Sequence, residues 1–283
     1  MMWLAFAGKE LFRKKIMLIT CLLTVAFLAL YNTGLWKSAH NSDLRHLSRV
    51  QEMLQGGTFL VLGLFFAQMI AAFLVFFATM GAISGEIESG LMLSQLARPI
   101  SRWKVYLGKY VGMASWMLLY NAVLFWAIVL PVHSLMHFPL LPAALLKSFL
   151  LFLFIPLLLL ALSMLGSTFL PTLGNGVACA MLYGLSLFSG FAESLSNMSQ
   201  SNLAISKVSL FLSFLMPSDS LSRRLNYEIV GGPDLPIDSD LIRSLGPFSM
   251  TNVPSFTFIL YAIVYFLLLL FIGCLAFRRK DIT

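Results

Sequence analysis

The sequence predicts an all-α integral membrane protein with six transmembrane helices, and two observations support this class. Of the 283 residues, 59% are hydrophobic and only 11% are charged, whereas soluble domains carry about 25% charged residues. Six apolar stretches are also long enough to cross a bilayer, which requires about 20 helical residues. Helices are expected because an open sheet edge would leave backbone polar groups unpaired in lipid.

The six predicted spans contain no Asp, Glu, Lys or Arg in their cores. They cover residues 16–35, 58–83, 111–132, 148–170, 174–192 and 256–277. Lys and Arg concentrate before the first span, between the second and third, and after the sixth. Because basic residues are enriched in cytoplasmic loops, this distribution predicts that both termini are cytosolic, an N-in/C-in topology.

Two segments outside the spans have their own patterns. Residues 1–15 alternate apolar and basic side chains, which favours an amphipathic helix in the headgroup region; a short disordered basic tail is the alternative. Residues 193–254 form a long extracytoplasmic segment. Its apolar patch Val208–Met216 is too short to cross and predicts a re-entrant or interfacial helix. No internal repeat is found, so residues 1–283 are expected to form a single domain.

Several classes of function lack their signatures. The net charge of +7 is explained by cytoplasmic loops, so nucleic acid is not an expected partner. No G-x-x-x-x-G-K-[ST] motif occurs, which excludes nucleotide binding through a P-loop. The four histidines lie in predicted outer loops and the three cysteines in apolar runs, with no metal-ligand spacing. We therefore expect no catalytic residue, no metal site and no cofactor on this chain.

The fifth predicted span carries small residues at intervals of four: Gly176, Ala180 and Gly184. Small residues let two helix backbones approach closely in a membrane. The stripe therefore predicts either packing within the chain or a seam between two copies. Other polar residues in the spans are expected to form hydrogen bonds between helices; they are Gln68, Asn121, Ser163, Ser167, Thr168, Ser186 and Ser189.

The segment between the second and third spans, residues 84–110, concentrates charge and turn signals. Ser84 or Gly85 is expected to cap a short helix, and Glu86 and Glu88 fall in its first turn, where negative charge suits the helix N-terminus. Pro99 disfavours helix at the residue before it. The pattern predicts a short cytosolic helix followed by a sharp turn.

A second helix is predicted to begin at Ser101, a natural N-cap, and to continue through Arg102 into the third span. Its first turns carry an interfacial aromatic belt formed by Trp103, Tyr106 and Tyr110. A helix, a turn and an anchored second helix can transmit a push from a cytosolic protein into two spans. A plain cytoplasmic loop with positive-inside charge is the alternative.

This segment also resembles the ABC-2 type permease family, the membrane subunits of ABC transporters. The residues that carry the resemblance are Ile83, Ser84, Gly85, Glu86, Glu88, Gly90, Leu93, Ala97, Arg98, Pro99, Ile100, Ser101, Arg102, Gly108 and Lys109. The six-span plan, the N-terminal helix and the long outer segment before the last span are similar to the family as well.

The resemblance implies a permease that pairs with a second permease chain as a homodimer and binds two copies of an ATPase.

ATP and Mg²⁺ would then bind on the ATPase and not on this chain. The residues assigned to ATPase coupling by the resemblance are Gly85, Glu86, Glu88, Gly90, Arg98, Pro99, Ile100, Ser101 and Arg102. The helix Glu86–Ala97 would enter the ATPase cleft, and the turn Pro171–Leu173 would form a lesser contact.

The family exports varied substrates, so the expected function is ATP-driven export across a bacterial plasma membrane, in contact with membrane lipid. The competing hypothesis is a stand-alone immunity or scaffold protein that uses no ATPase. An adjacent ATPase gene would favour the permease. No cluster of aromatic or charged residues in the spans identifies a substrate class.

Overall fold

The computed structural model describes residues 15–40, 49–92, 101–198, 203–230 and 253–280, and all regular secondary structure within them is α-helical. The described helices are α1 (Lys15–Ala39), α2 (Arg49–Thr79), α3 (Ser84–Glu88), α4 (Arg102–Met136), α5 (Pro142–Phe169), α6 (Thr172–Met198), α7 (Leu203–Leu215), α8 (Ser218–Val230) and α9 (Phe256–Arg279). Most of the predicted N-terminal interfacial helix, residues 1–14, lies outside the described residues.

Six of the described helices are long and apolar enough to cross a membrane, namely α1, α2, α4, α5, α6 and α9. The prediction of an all-α fold with six spans is confirmed. The third span begins earlier than the apolar run alone indicates, because α4 is continuous from Arg102. The basic and aromatic residues 102–110 are therefore the first turns of a spanning helix.

The bundle has two opposite ends. Near one end, the Gln55 side chain donates a hydrogen bond to Ser38, which joins the start of α2 to the end of α1. At the other end, Arg102 at the start of α4 donates to backbone carbonyls at the end of α9. We call the second end, which also carries α3, the connector face. The chain thus places the start of α1 and the end of α9 on this face.

The spans differ in how deeply they are buried. The helix α5 lies against α2, α4, α6, α8 and α9 and forms the centre of the bundle. In the second span, 67% of the most apolar stretch is buried, compared with 17% in α1 and in α9. Apolar side chains on α1 and α9 therefore face outward, where lipid or another chain must cover them.

The described part of the segment after α6 contains two helices where the sequence predicts one. The predicted helix Val208–Met216 corresponds to the longer α7, Leu203–Leu215. No helix is predicted over α8, yet its residues Leu221, Leu225 and Ile229 are buried at intervals of four. This stripe packs chiefly against α5. Three apolar positions in a largely polar segment are a weak sequence signal, which explains the omission.

The helix α7 runs into the bundle from the end opposite the connector face, and α8 runs back toward that same end. At their junction, Ser186 of α6 donates to the carbonyl of Met216 at 3.1 Å, and Tyr265 of α9 donates to the carbonyl of Leu215 at 2.8 Å. Ser186 and Tyr265 lie well inside their spans, so the junction lies deep in the bundle. Residues 231–252, which follow α8, lie outside the described residues.

Candidate functional site

The connector begins with a helix that is shorter than predicted. The described helix α3 covers only Ser84–Glu88 and follows α2 after a short turn. Gly90 has φ of +72°, a left-handed conformation that interrupts an α-helix. The helix predicted over Glu86–Ala97 is therefore broken at Gly90. Residues 93–100, including Arg98, Pro99 and Ile100, lie outside the described residues.

The N-cap of α3 also differs from the prediction. Ile83 occupies the cap position and provides no side-chain hydrogen bond. Instead, the Ser167 hydroxyl of α5 accepts hydrogen bonds from the backbone N–H groups of Ile83 and Ser84, both at 3.0 Å. A side chain from another span thus satisfies N–H groups that a helix start leaves unpaired. The Ser84 hydroxyl lies 3.1 Å from the Thr172 hydroxyl of α6.

Glu86 points into the bundle and forms an ion pair with Lys109 of α4. The two side chains are buried, with exposed fractions of 9% and 3% respectively. Lys109 also donates a hydrogen bond to the carbonyl of Ala82 at 2.9 Å. A buried ion pair is costly to break, because the remaining charge loses its partner. This contact fixes α3 and the turn before it to the third span.

Glu88 joins the connector to the fifth span. Its carboxylate accepts hydrogen bonds from the backbone N–H and the hydroxyl of Thr172, each at 3.1 Å. Thr172 is the first residue of α6. A carboxylate at a helix N-terminus is favourable because it satisfies an unpaired N–H and interacts with the helix dipole. The turn at Pro171–Leu173, predicted as a separate contact, is therefore bonded directly to the connector.

A buried amide completes the polar contacts below the connector. Asn175 of α6 donates to the carbonyl of Met80 at 3.0 Å and to the carbonyl of Ser163 at 2.9 Å. Gly166 of α5 allows this approach, because a Cβ at that position would overlap the Asn175 side chain. Thr79 at the end of α2 donates to the Ser163 hydroxyl at 2.8 Å. These bonds join the ends of α2, α5 and α6.

We call the joined side chains the connector cluster: Thr79, Ser84, Glu86, Glu88, Lys109, Ser163, Ser167, Thr172 and Asn175. Sequence reasoning singles out Ser84, the glutamates, the turn that contains Thr172 and the two α5 serines. It names Lys109 only as part of the family resemblance, and it gives Thr79 and Asn175 no role. Each of these three is a polar residue in or beside an apolar run. Such residues are a signal for helix contacts in membranes, although the sequence alone does not identify their partners.

The remaining predicted coupling residues occupy different environments. Gly85 lies against Thr172, where a Cβ would be 3.4 Å from the hydroxyl oxygen. Ser101 is the N-cap residue of α4, without a side-chain cap hydrogen bond. Arg102 donates to the carbonyls of Arg278 at 3.2 Å and Lys280 at 2.8 Å. Arg102 is thus bonded to the end of α9 within the chain.

The exposed part of the connector is its far end. Glu88, Ser89 and Gly90 are exposed, and Leu91 is 57% exposed. We call Glu88–Leu91 the connector tip. An exposed leucine beside a glycine turn gives an apolar contact point for another protein. The connector therefore has a buried base fixed to α4, α5 and α6, and a tip accessible from outside the bundle.

The small-residue stripe of α6 is divided between two environments. Gly176 is buried against Met80, the residue after α2, and a Cβ at this position would lie 3.0 Å from the Met80 sulfur. Gly184 has no neighbouring atom within 4 Å of such a Cβ, and Ala180 is half-buried between them. Close packing within the chain thus uses Gly176, whereas the Gly184 end leaves space for lipid or a second chain.

Comparison with known proteins gives one family match. Residues 7–282 match the family described as ABC-2 family transporter protein. No curated protein matches the chain. The match extends over nearly the whole sequence, so it includes the connector, the six spans and the helices α7 and α8.

Proposed function

The chain belongs to the ABC-2 transporter family, and we propose that it exports a substrate using ATP hydrolysed by a separate ATPase that docks on the connector tip. The family is a membrane transport component and not itself catalytic. ATP and Mg²⁺ bind on the ATPase in this proposal. The connector face is cytosolic, and the membrane is the plasma membrane of a bacterium.

One observation carries the proposal: the accessible tip and the buried base belong to the same short connector. Glu86 pairs with α4, Ser84 bonds to α5, and Glu88 bonds to α6. A displacement of the tip therefore acts on three spans together. Such a connection is what an ATPase on the cytosolic face needs in order to change access to a path through the membrane.

The proposed assembly contains two copies of this chain and two ATPases. The outward-facing apolar surfaces of α1 and α9, together with the open end of the α6 stripe, provide area for a second copy or for lipid. A symmetric pair is the commonest arrangement of identical chains. In this arrangement each connector tip contacts one ATPase.

The docking role is tested with Leu91→Asp. Leu141→Asp is the matched control, because Leu141 is also an exposed leucine, 40% exposed, beside the start of α5 at the opposite end of the bundle. The affinity-tagged chain is purified from its native membranes in mild detergent, and the co-purifying ATPase and its ATP hydrolysis are quantified.

We expect Leu91→Asp to reduce ATPase recovery by about tenfold, the effect of losing a contact worth about 1.4 kcal/mol, while Leu141→Asp leaves recovery unchanged. Equal recovery with both variants would contradict docking at the tip. Isolation of the wild-type chain without any ATPase, with its cellular phenotype intact after deletion of candidate ATPase genes, would instead favour a stand-alone protein.

A further inference from the structure

A surface groove on the connector face lies between the first residues of α4 and the last residues of α9. Ser101, Arg102, Trp103 and Arg278 line this groove, which has a volume of about 560 Å³. Arg102 holds its two walls together through bonds to the carbonyls of Arg278 and Lys280. We propose that the groove binds the phosphate of an anionic phospholipid.

The charge around the groove favours an anion. The stretches 101–108 and 271–280 contain five basic residues and no Asp or Glu; the basic residues are Arg102, Lys104, Arg278, Arg279 and Lys280. Asp281 follows in the sequence and lies outside the described residues. The bonds from Arg102 offset the negative end of the α9 dipole, which would otherwise repel a phosphate. Arg278 has an exposed guanidinium, a group well suited to bind phosphate oxygens.

The surface next to the groove identifies the anion as a lipid. Arg278 continues a helical stripe of exposed apolar side chains on α9, formed by Val264, Leu268, Phe271 and Leu275. A phosphate near Arg278 would therefore have acyl chains running along this stripe. Trp103, 47% exposed on the other wall, is a residue type enriched at the membrane interface. Free phosphate would use none of this apolar surface.

The position of the groove at the cytoplasmic leaflet also favours an anionic phospholipid. Anionic lipids concentrate in the cytoplasmic leaflet, and basic recesses between transmembrane helices on that side bind their headgroups. The connector face is the face predicted to be cytosolic. This inference requires the predicted orientation, but it requires neither an ATPase nor docking at the connector tip.

The test compares Arg278→Gln with Arg279→Gln. Both arginines are exposed and adjacent in α9, and both substitutions remove one positive charge, but only Arg278 lines the groove. Each chain is incorporated into nanodiscs of phosphatidylcholine and phosphatidylglycerol and then released. The lipid that stays bound to the protein is measured by native mass spectrometry. A parallel sample receives excess inorganic phosphate as a competitor.

We expect Arg278→Gln to reduce retention of phosphatidylglycerol by about fivefold, because it removes a direct charge-assisted contact with the phosphate, and Arg279→Gln, outside the groove, to leave retention close to wild type. Equal losses in the two variants, or equal retention of phosphatidylcholine and phosphatidylglycerol by the wild type, would overturn the proposal. Displacement of the lipid by millimolar inorganic phosphate would identify a free phosphate site instead. If Arg278→Gln reduced the amount of co-purifying ATPase even in membranes of phosphatidylcholine without anionic lipid, the groove would be a binding site for the ATPase and not for a lipid.

Discussion

The connector cluster and the helix α8 both place charged residues inside an apolar bundle, but they pair these charges differently. In the connector cluster, Glu86 of α3 pairs with Lys109 of α4, so the ion pair joins two elements. In α8, Asp219 pairs with Arg223 and Glu228 with Arg224, each four residues apart on the same helix. Pairs within one helix neutralise its charge, whereas pairs between helices make them move together.

Among the described residues, α8 has no fully buried ion pair with another helix, although its apolar stripe packs closely against α5. Ser148 of α5 donates to the carbonyl of Leu225 at 3.4 Å, and Ser222 donates to the Gln68 side chain of α2. Lys147, 61% exposed, lies 3.5 Å from Glu228. An exposed ion pair contributes little to stability. We therefore expect disruption of the ion pair in the connector cluster to have larger consequences than disruption of the polar contacts of α8.

The largest expected effect comes from Lys109→Met. This change leaves the buried Glu86 carboxylate without its cation and removes the hydrogen bond to Ala82, so we expect a loss of about 3–5 kcal/mol. Thermal unfolding of the detergent-solubilised chain measures the loss. The double variant Glu86→Leu with Lys109→Met is the control, because it leaves no unpaired charge. A double variant less stable than Lys109→Met would contradict the buried ion pair.

A smaller effect is expected from Gly190→Ala. A Cβ at Gly190 of α6 would overlap the Asp219 carboxylate at the start of α8. Asp219 is half-buried and paired with Arg223, so the overlap must displace the ion pair, and we expect a cost of about 1–3 kcal/mol. Gly184→Ala, on the same helix, meets no atom within 4 Å and is the control. Equal melting temperatures for the two variants would show that α8 does not pack against Gly190.

The smallest effect on stability is expected from Glu88→Gln. The amide oxygen still accepts one hydrogen bond from Thr172, and Glu88 is exposed, so the expected loss is about 0.5–1 kcal/mol. ATP hydrolysis by the assembled complex should fall more clearly, because the connection from the tip to α6 is weakened. A decrease in melting temperature as large as that of Lys109→Met would show that Glu88 contributes as much to stability as the buried ion pair of Glu86.

The sequence predicts the six spans well because apolar length is a local property, which holds whatever the helices pack against. It does not reveal the orientation of the connector glutamates. Glu86 and Glu88 are two residues apart and appear equivalent as first-turn acids, yet one is buried against Lys109 and the other is exposed beside Thr172. These partners lie on other spans, so only the packing of the bundle distinguishes the two glutamates.

The same limit explains α8 and Arg102. The apolar stripe of α8 consists of only three residues, spaced four apart. It packs against α5, which lies far away in the sequence. The sequence predicts that Arg102 is a cytosolic charge available to a partner. In the structure its guanidinium donates to the carbonyl of a residue at the end of α9, 176 positions later. Composition and turn residues therefore locate the connector, while its connections to the spans depend on long-range contacts.

The most direct test of the connector as a coupling unit is a charge exchange between Glu86 and Lys109. ATP hydrolysis is measured in the purified complex with Glu86→Lys, Lys109→Glu, and both changes together, after confirming equal recovery of the ATPase. We expect each single change to abolish most of the activity, since it places two like charges together in a buried site, and the double change to restore it. Full activity in either single variant, or a folded double variant as inactive as the singles, would contradict coupling through this pair.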